Sequence, residues 1–321
     1  MPVPVRQDIS IEDGGSIWTV CIFIFLRINF IIMYQQNSIK ENEKWSLVIR
    51  PKTSLLALNL QDLWRYRDLL VLFVKRDFKA MYKQTVLGPL WFLIQPLLST
   101  FMFVIIFDRV AGIPTAGIPS SVFYLSGLVL WNYFAACLNN TAVTFTANSN
   151  IFGKVYFPRM IAPMSNVITA LVSFGIQFGI LLVFILYHAV FSAMPVQMGG
   201  YLLILPFVLL LVAFLGLGLG LIVSSLTAKY RDLVHLIGFG VQLLMYATPV
   251  IYPLSFVEGK YKLFILANPI SPLIEVFRFA LLGVGELRPG YLLYSSCVVF
   301  FILFTGIVVF NKVEKNFIDT I

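Results

Sequence analysis

Residues 160–228 read MIAPMSNVITALVSFGIQFGILLVFILYHAVFSAMPVQMGGYLLILPFVLLLVAFLGLGLGLIVSSLTA, a stretch without a single Asp, Glu, Lys or Arg. A helix crosses the hydrocarbon of a bilayer with about 20 apolar residues. The stretch is far too long for one crossing and predicts two. Ser192-Ala193-Met194-Pro195 and Gly199-Gly200 mark the split between them. Working outward, charge-free runs recur from Gln84 to Phe107, Val110 to Gly153, Leu233 to Val257 and Pro289 to Asn311. Each holds one more crossing. The expected helices cover about 87–107, 122–145, 160–187, 201–226, 233–252 and 291–310. Transmembrane strands alternate polar and apolar residues, and these runs do not. The fold class is therefore an all-α polytopic membrane protein with six transmembrane helices.

Composition agrees. Apolar residues make up 59% of the 321 residues, charged residues 12%, and mean hydropathy is +0.89. A soluble domain carries about 25% charge. A water-exposed enzyme, a disordered chain and a disulfide-stapled chain are all excluded. Cys21, Cys137 and Cys297 stand far apart with no CxxC, so no metal site and no disulfide framework is expected.

Lys and Arg concentrate on one side when both termini are placed in the cytoplasm. A dense basic stretch from Lys40 to Lys83 then joins Lys154, Arg159, Lys229, Arg231, Lys312 and Lys315 inside. Arg109, Lys260, Lys262, Arg278 and Arg288 remain outside, partly offset by Glu258, Glu275 and Glu286. Cytoplasmic loops carry the Lys/Arg excess. The net +8 charge reads as topology and contact with anionic lipid, not as nucleic-acid binding.

Three regions are expected along the chain. Residues 1–44 form an extension in which Ile17–Met33 is apolar but short and interrupted by Arg27 and Asn29. Its flank is acidic, the opposite of a signal peptide. A translation start at Met33 is the preferred reading over a weakly membrane-associated segment. Residues 45–86 hold a cytoplasmic linker and an amphipathic interface helix. That helix opens at Asn59-x-x-Asp62 and repeats Leu63, Tyr66, Leu70, Phe73 and Val74 at helical spacing. Its other face carries Arg65, Asp68, Lys75, Arg76, Lys79 and Lys83. Residues 87–321 hold the six-helix domain. Between its fifth and sixth helices, 253–290 carry four prolines and apolar stretches too short to span, which predicts re-entrant helices at the outer face.

No catalytic constellation emerges. Gly216-x-Gly218-x-Gly220 lies inside an apolar span with no strand before it and no Lys after it, so close helix packing is the better reading. No GxxxxGK[ST] occurs, so ATP is not bound here through a P-loop. His188 and His235 read as helix-end polar residues. No helix centre carries Asp or Glu, which argues against ion-coupled transport. The spans do carry amides and aromatics. Trp91, Gln95, Phe101, Trp131, Asn132, Tyr246 and Tyr252 are pore candidates, because rings stack on sugar faces and amides bond hydroxyls. Helix–helix contact is the competing explanation for each.

The segment Asn148 to Arg159 reads NSNIFGKVYFPR. A bare connection needs about 2–8 polar residues. Ile151, Phe152, Val155, Tyr156 and Phe157 are expected to be exposed on it, as a docking surface beside Lys154 and Arg159.

Several blocks carry a resemblance. They are Tyr82-Lys83-Gln84-Thr85-Val86-Leu87-Gly88-x-x-Trp91 with Gln95-Pro96, Lys154-Val155-Tyr156-Phe157-Pro158-Arg159, Tyr230-Arg231-Asp232, and Pro249-Val250-Ile251-Tyr252-Pro253. Asn268-Pro269 with Pro272 and Arg278, and the tail Glu314-Lys315-x-Phe317-x-Asp319, complete the set. In this order they resemble the membrane subunits of type-2 ABC exporters of O-antigen, capsule or teichoic-acid chains, from about Trp45 to the end. The resemblance implies a homodimeric channel in the bacterial cytoplasmic membrane, driven by two separate ATPase subunits. ATP and Mg would sit on those partners and no cofactor on this chain. Asn150, Phe152, Lys154, Val155, Tyr156, Phe157, Pro158 and Arg159 would couple to the ATPases. Asn268, Pro269, Pro272, Glu275 and Arg278 would belong to an outer gate. The substrate would be a polysaccharide on a polyprenyl pyrophosphate lipid. Arg76, Lys79, Tyr82, Lys83 and Gln84 are the candidates for meeting that pyrophosphate.

Two alternatives stand beside this reading. One is a type-2 exporter of lipids or drugs. The other is a membrane glycosyltransferase working through Glu258, Glu275, Arg278, Glu286 and Arg288. It is weakened because Glu275 and Arg278, at i and i+3, can simply pair.

Overall fold

A computed structural model describes residues 60–83, 87–152, 154–155, 157–191, 200–230, 232–285 and 287–316. The extension 1–44, the linker up to residue 59 and the tail from Phe317 lie outside the described residues. Every element among those described is a helix or a turn.

The chain opens on α1 (Leu60–Arg65) and α2 (Arg67–Tyr82), the expected amphipathic helix with a break at Tyr66. The first long element is α3 (Trp91–Phe103), entered through a tight turn at Gly88–Leu90 and prolonged by a π-helical stretch, Val104–Val110. Next come α4 (Ser120–Ala142), the short α5 (Thr144–Ala147) and α6 (Ser149–Phe152), α7 (Ile161–Phe191) and α8 (Leu205–Thr227). They are followed by α9 (Leu233–Tyr246), α10 (Lys260–Ala267), α11 (Ile270–Leu282) and α12 (Pro289–Asn316).

Five helices are long and apolar enough to cross a membrane: Trp91–Val110, Ser120–Ala142, Ile161–Phe191, Tyr201–Thr227 and Pro289–Glu314. A sixth is reached if α10 and α11, bent by 91° at Asn268-Pro269, count as one span. The expected fifth crossing over 233–252 is shorter than anticipated. Its helix stops at Tyr246, and 14 residues reach only about 21 Å at 1.5 Å each, short of a ~30 Å hydrocarbon. The helix ends ahead of Pro249, which has no N–H for the ladder and whose ring clashes with the carbonyl four residues back. The carbonyls of Pro249 and Val250 accept from Arg278 instead. The re-entrant expectation for 253–290 is met by the α10–α11 pair.

The interior is organised around α4, which is mostly buried along its length, and α8, which packs along both α4 and α12. Close approach explains the glycine run. A Cβ on Gly216 would lie 2.6 Å from the Cβ of Cys137, and one on Gly220 would lie 2.5 Å from that of Thr141. On the other side, a Cβ on Gly306 would meet the carbonyl of Gly218 at 2.5 Å. These glycines let three helix backbones touch, the role expected for them, and small residues serve that purpose in membranes.

Candidate functional site

At the end of the bundle where α4 stops and α7 begins, the chain builds an aromatic cluster. Phe73 of α2 meets Phe157 edge-on, with ring centroids 5.6 Å apart. Phe157 lies 5.7 Å from Phe152, Phe152 lies 6.1 Å from Phe145, and Phe145 stacks on Phe310 of α12 at 4.7 Å. Four segments distant in sequence thus share one small core.

Polar contacts tighten it. Arg76 donates to Asn148 Oδ1 at 3.3 Å and to Asp77 at 2.7 Å, and its guanidinium lies over the Phe73 ring. Asn148 donates in turn to the Thr144 carbonyl. Arg159 donates from Nη1 to the Glu314 carbonyl at 2.5 Å. That carbonyl belongs to the last turn of α12, where helix carbonyls have no partner of their own. Arg159 therefore caps α12, where a cation also suits the helix dipole.

This revises the docking expectation. Phe152, Phe157 and Arg159 are buried, because three neighbouring helices supply aromatic partners that the sequence does not place together. Asn150, Lys154 and Val155 remain exposed, Val155 at 58%. Pro158 is half-buried, and Tyr156 lies outside the described residues. The segment is thus a loop fastened at both ends that presents a short tip. The basic group near it also divides. Arg76 is engaged with Asp77 and Asn148, whereas Lys79 and Lys83 are exposed. Gln84 and the Tyr82 side chain lie outside the description.

The opposite end holds a second constellation. Arg278 of α11 is 1% exposed. Its guanidinium donates to the carbonyls of Pro249 at 2.5 Å, Val250 at 2.7 Å and Phe123 at 3.3 Å, and to Ser126 Oγ at 3.3 Å. Glu275 stands 3.8 Å away, as the i, i+3 spacing anticipated. The Phe123 ring lies 3.8 Å from the guanidinium carbon. Gly127 makes room, since a Cβ there would come 2.6 Å from Arg278 Nη2. Asn268 donates to Thr248 Oγ1 at 3.2 Å and so ties the bend to the same turn. Pro269 precedes the first turn of α11, and Pro272 is buried within it. Arg278 therefore fixes the bent pair to the start of α4. The glycosyltransferase alternative loses its central pair, because these two charges are consumed by each other and by backbone.

The pore candidates separate cleanly. Trp131 is 3% exposed, packed 5.3 Å from Phe134 in the protomer core. Asn132 donates to Gln177 Oε1 of α7 at 3.1 Å, a helix–helix contact. Trp131 is thus buried within the protomer, whereas Asn132 is half-buried with its amide turned to α7. Trp91, Gln95, Phe101 and Tyr246 are exposed on α3 and α9. Tyr252 is half-buried, with its hydroxyl 3.3 Å from the Tyr246 carbonyl. Among the described residues no group of His, Cys, Asp and Glu could hold a metal ion.

Comparison with known proteins decides the family. The model of the ABC-2 type transporter family matches residues 68–282, from α2 through α11. The chain belongs to the ABC-2 type transporters. It is 28% identical over 253 residues to the O-antigen export system permease protein RfbA of Klebsiella pneumoniae, covering 78% of this chain and 94% of the relative. It is 29% identical over 222 residues to the RfbA permease of Myxococcus xanthus, covering 68% and 82%. It is 22% identical over 243 residues to the polysialic acid transport protein KpsM of Escherichia coli, covering 73% and 87%. As an ABC-2 permease it is a multi-pass membrane component of a transporter and has no catalytic domain; nucleotide binding resides on a separate ABC ATPase. Phe73, Phe145, Phe152, Phe157 and Arg278 all lie within the matched region of this ABC-2 chain, and Phe310 lies beyond it.

Proposed function

We propose that two copies of the chain form one channel, driven by two ATPase subunits, that exports a polysaccharide carried on a polyprenyl pyrophosphate lipid across the bacterial cytoplasmic membrane. The observation that carries the substrate class is the similarity to O-antigen permeases over almost their whole length, with a polysialic acid transporter as a more distant relative. A lipid or drug exporter would share the fold but would leave that pattern of relatives unexplained.

Both termini lie in the cytoplasm on this reading, as the Lys/Arg distribution requires. The fastened loop then faces the cytoplasm, and Asn150, Lys154 and Val155 are the side chains that meet the ATPase. Buried Phe152, Phe157 and Arg159 transmit its displacement instead of touching the partner. Lys79 and Lys83 are the cations left to attract pyrophosphate. Trp91, Gln95, Phe101 and Tyr246 face the channel. The α10–α11 pair stands at its outer mouth, where Asn268, Pro269, Pro272, Glu275 and Arg278 set the bend.

The test pairs the chain with a candidate ABC ATPase subunit from the same organism, in a strain lacking its own exporter. Export predicts a complex of two copies of each subunit, surface polysaccharide restored, and lipid-linked glycan cleared from the inner leaflet. A chain that assembles with the ATPase yet leaves the glycan inside, while clearing an unrelated lipid or drug, overturns the substrate. A chain that binds no ATPase overturns the reading entirely.

A further inference from the structure

Helix α10 has two unlike faces. Ile265 and Leu266 are buried with Leu254 in a small core that Tyr252, Val257 and Tyr291 complete. On the other side Tyr261 is 77% exposed and Leu263 and Phe264 are 74% exposed, with Phe256 exposed just before the helix. Lys260 is exposed beside them, and Lys262 is half-buried. The 8 residues of α10 reach about 12 Å at 1.5 Å each, far short of a crossing. The helix also meets α11 at 91°, so it does not prolong that element.

The depth of α10 in the bilayer follows from α12. That helix carries no charged residue from Pro289 to Asn311. About 20 residues cross the hydrocarbon, so counting back from Asn311 puts its far edge near Leu292. Arg288 stands beyond that edge, with its guanidinium 5.7 Å from the Tyr291 ring centroid. Tyr291, at the edge itself, packs on the buried face of α10. Tyr294, just inside it, donates its hydroxyl to the Ala267 carbonyl of α10 at 2.9 Å. The exposed face of α10 is therefore level with the boundary between headgroups and acyl chains. Its composition suits that layer. Tyr is enriched there, and Lys lays its alkyl stem on apolar surface while the ammonium reaches phosphate. A second copy of the chain is a poorer match, since Lys is depleted in protein–protein contacts.

We propose that α10 is an interfacial anchor: Phe256, Tyr261, Leu263 and Phe264 sink into the boundary layer of the leaflet at the Pro289 end of α12, and Lys260 and Lys262 meet its phosphates. Lys on one side of a short helix and large apolar groups on the other are the mark of helices that lie in this layer. Arg278 holds α11 to the protein, so the bend at Asn268-Pro269 joins a protein-bound helix to a lipid-bound one. The leaflet is the outer one in the proposed orientation, and the anchoring is independent of the exported substrate.

The test is depth-dependent quenching on the full chain in phosphatidylcholine proteoliposomes. Cys21→Ser and Cys297→Ser clear the background, and Phe264→Cys carries a bimane label. A phospholipid with a nitroxide high on its acyl chain, at carbon 5, is expected to quench that label at least threefold more than one with the nitroxide at carbon 12, and more than aqueous iodide. Phe301→Cys, exposed near the middle of α12, calibrates the scale with the reverse order of the two lipid probes. Leu263→Cys serves the same purpose should Phe264→Cys fail to insert. Lys260→Glu together with Lys262→Glu is expected to lower the carbon-5 quenching at least twofold, and no change overturns the role of the lysines. Iodide outrunning both lipid probes, or the carbon-12 probe outrunning carbon 5 at Phe264→Cys, overturns the anchor. A label that neither lipid nor iodide reaches, with Phe264→Cys joining its counterpart in a second copy on oxidation, gives the face to a protein contact and overturns it as well.

Discussion

Phe157 stands edge-on to Phe73 with interplanar angle 87°, so the loop before α7 is fastened to the amphipathic α2 by a buried aromatic contact. This contact separates two neighbours that look equivalent in sequence. Phe157→Ala removes a buried ring, and such truncations cost about 3–5 kcal/mol. Val155→Asp alters an exposed tip. The first is expected to lower the midpoint of thermal unfolding in detergent. The second should leave that midpoint within a degree or two while weakening ATPase co-purification at least tenfold. Equal thermal effects from both would show that the loop is not fastened as described.

Arg159→Met keeps the aliphatic stem but loses the bond to the Glu314 carbonyl. A charge-assisted bond contributes about 1.5–3 kcal/mol. Amide exchange in the last turns of α12 is expected to accelerate by one to two orders of magnitude, with α4 unchanged. Arg159→Lys should restore part of the protection. Unaltered exchange at 310–316 would remove Arg159 from its capping role.

Arg278→Met takes the neighbouring cation from Glu275 and the guanidinium donor from the carbonyls of Pro249 and Val250, while the Phe123 carbonyl keeps Ser126 Oγ. Breaking one partner of a buried pair costs about 3–5 kcal/mol. Limited proteolysis should then cut within 253–290, which the intact anchor protects. Gly127→Ala is expected to produce a milder form of the same defect, because its Cβ would intrude on Nη2. Resistance of both variants to the protease would count against the anchor.

Glycines give an internal control. Gly306→Ala drives a Cβ into the Gly218 carbonyl, and overpacking of this kind costs about 1–3 kcal/mol. Gly240→Ala in α9 meets nothing within 4 Å and should be neutral or stabilising by up to about 1 kcal/mol. Chemical unfolding of the two variants side by side checks the ordering.

Asn132 and Gln177 form an amide pair between α4 and α7. Such interhelical bonds average about 0.6 kcal/mol by double-mutant cycles in a membrane protein. A cycle of Asn132→Ala and Gln177→Ala should return a coupling of that size in protomer stability. Export by the single variants should remain above half of wild type, as expected of packing residues and not of residues in a channel.

The fold was largely legible because charge is so costly in hydrocarbon that its absence writes the spans directly into the chain. The α10–α11 bend was legible from its prolines. The early end of α9 is signalled by Pro249, but the recruitment of the freed carbonyls by a guanidinium 28 residues away was not legible. Within the candidate site, the loop 148–159 was found by its excess of apolar residues. Which of them face outward could not be read, because Phe73, Phe145 and Phe310 are remote in sequence and carry no periodic signal pointing to Phe157. Trp131 illustrates the same limit. An aromatic beside an amide looks the same in sequence whether it lines a channel or packs under α7.

By itself the sequence determined that this chain is a helical membrane protein, how its basic residues are distributed about the spans, and which short blocks stand out between them. Those properties follow from the transfer of single residues and single helices into lipid, a term that depends only on local composition. Only the tertiary structure decided that Arg278 is an anchor, that Arg159 caps the last helix, and that Phe157 is buried. Each of those roles is created by groups from other segments. Whether a cation or an aromatic ring is a contact or a surface depends on which partners the packing of α4, α8 and α12 brings within reach.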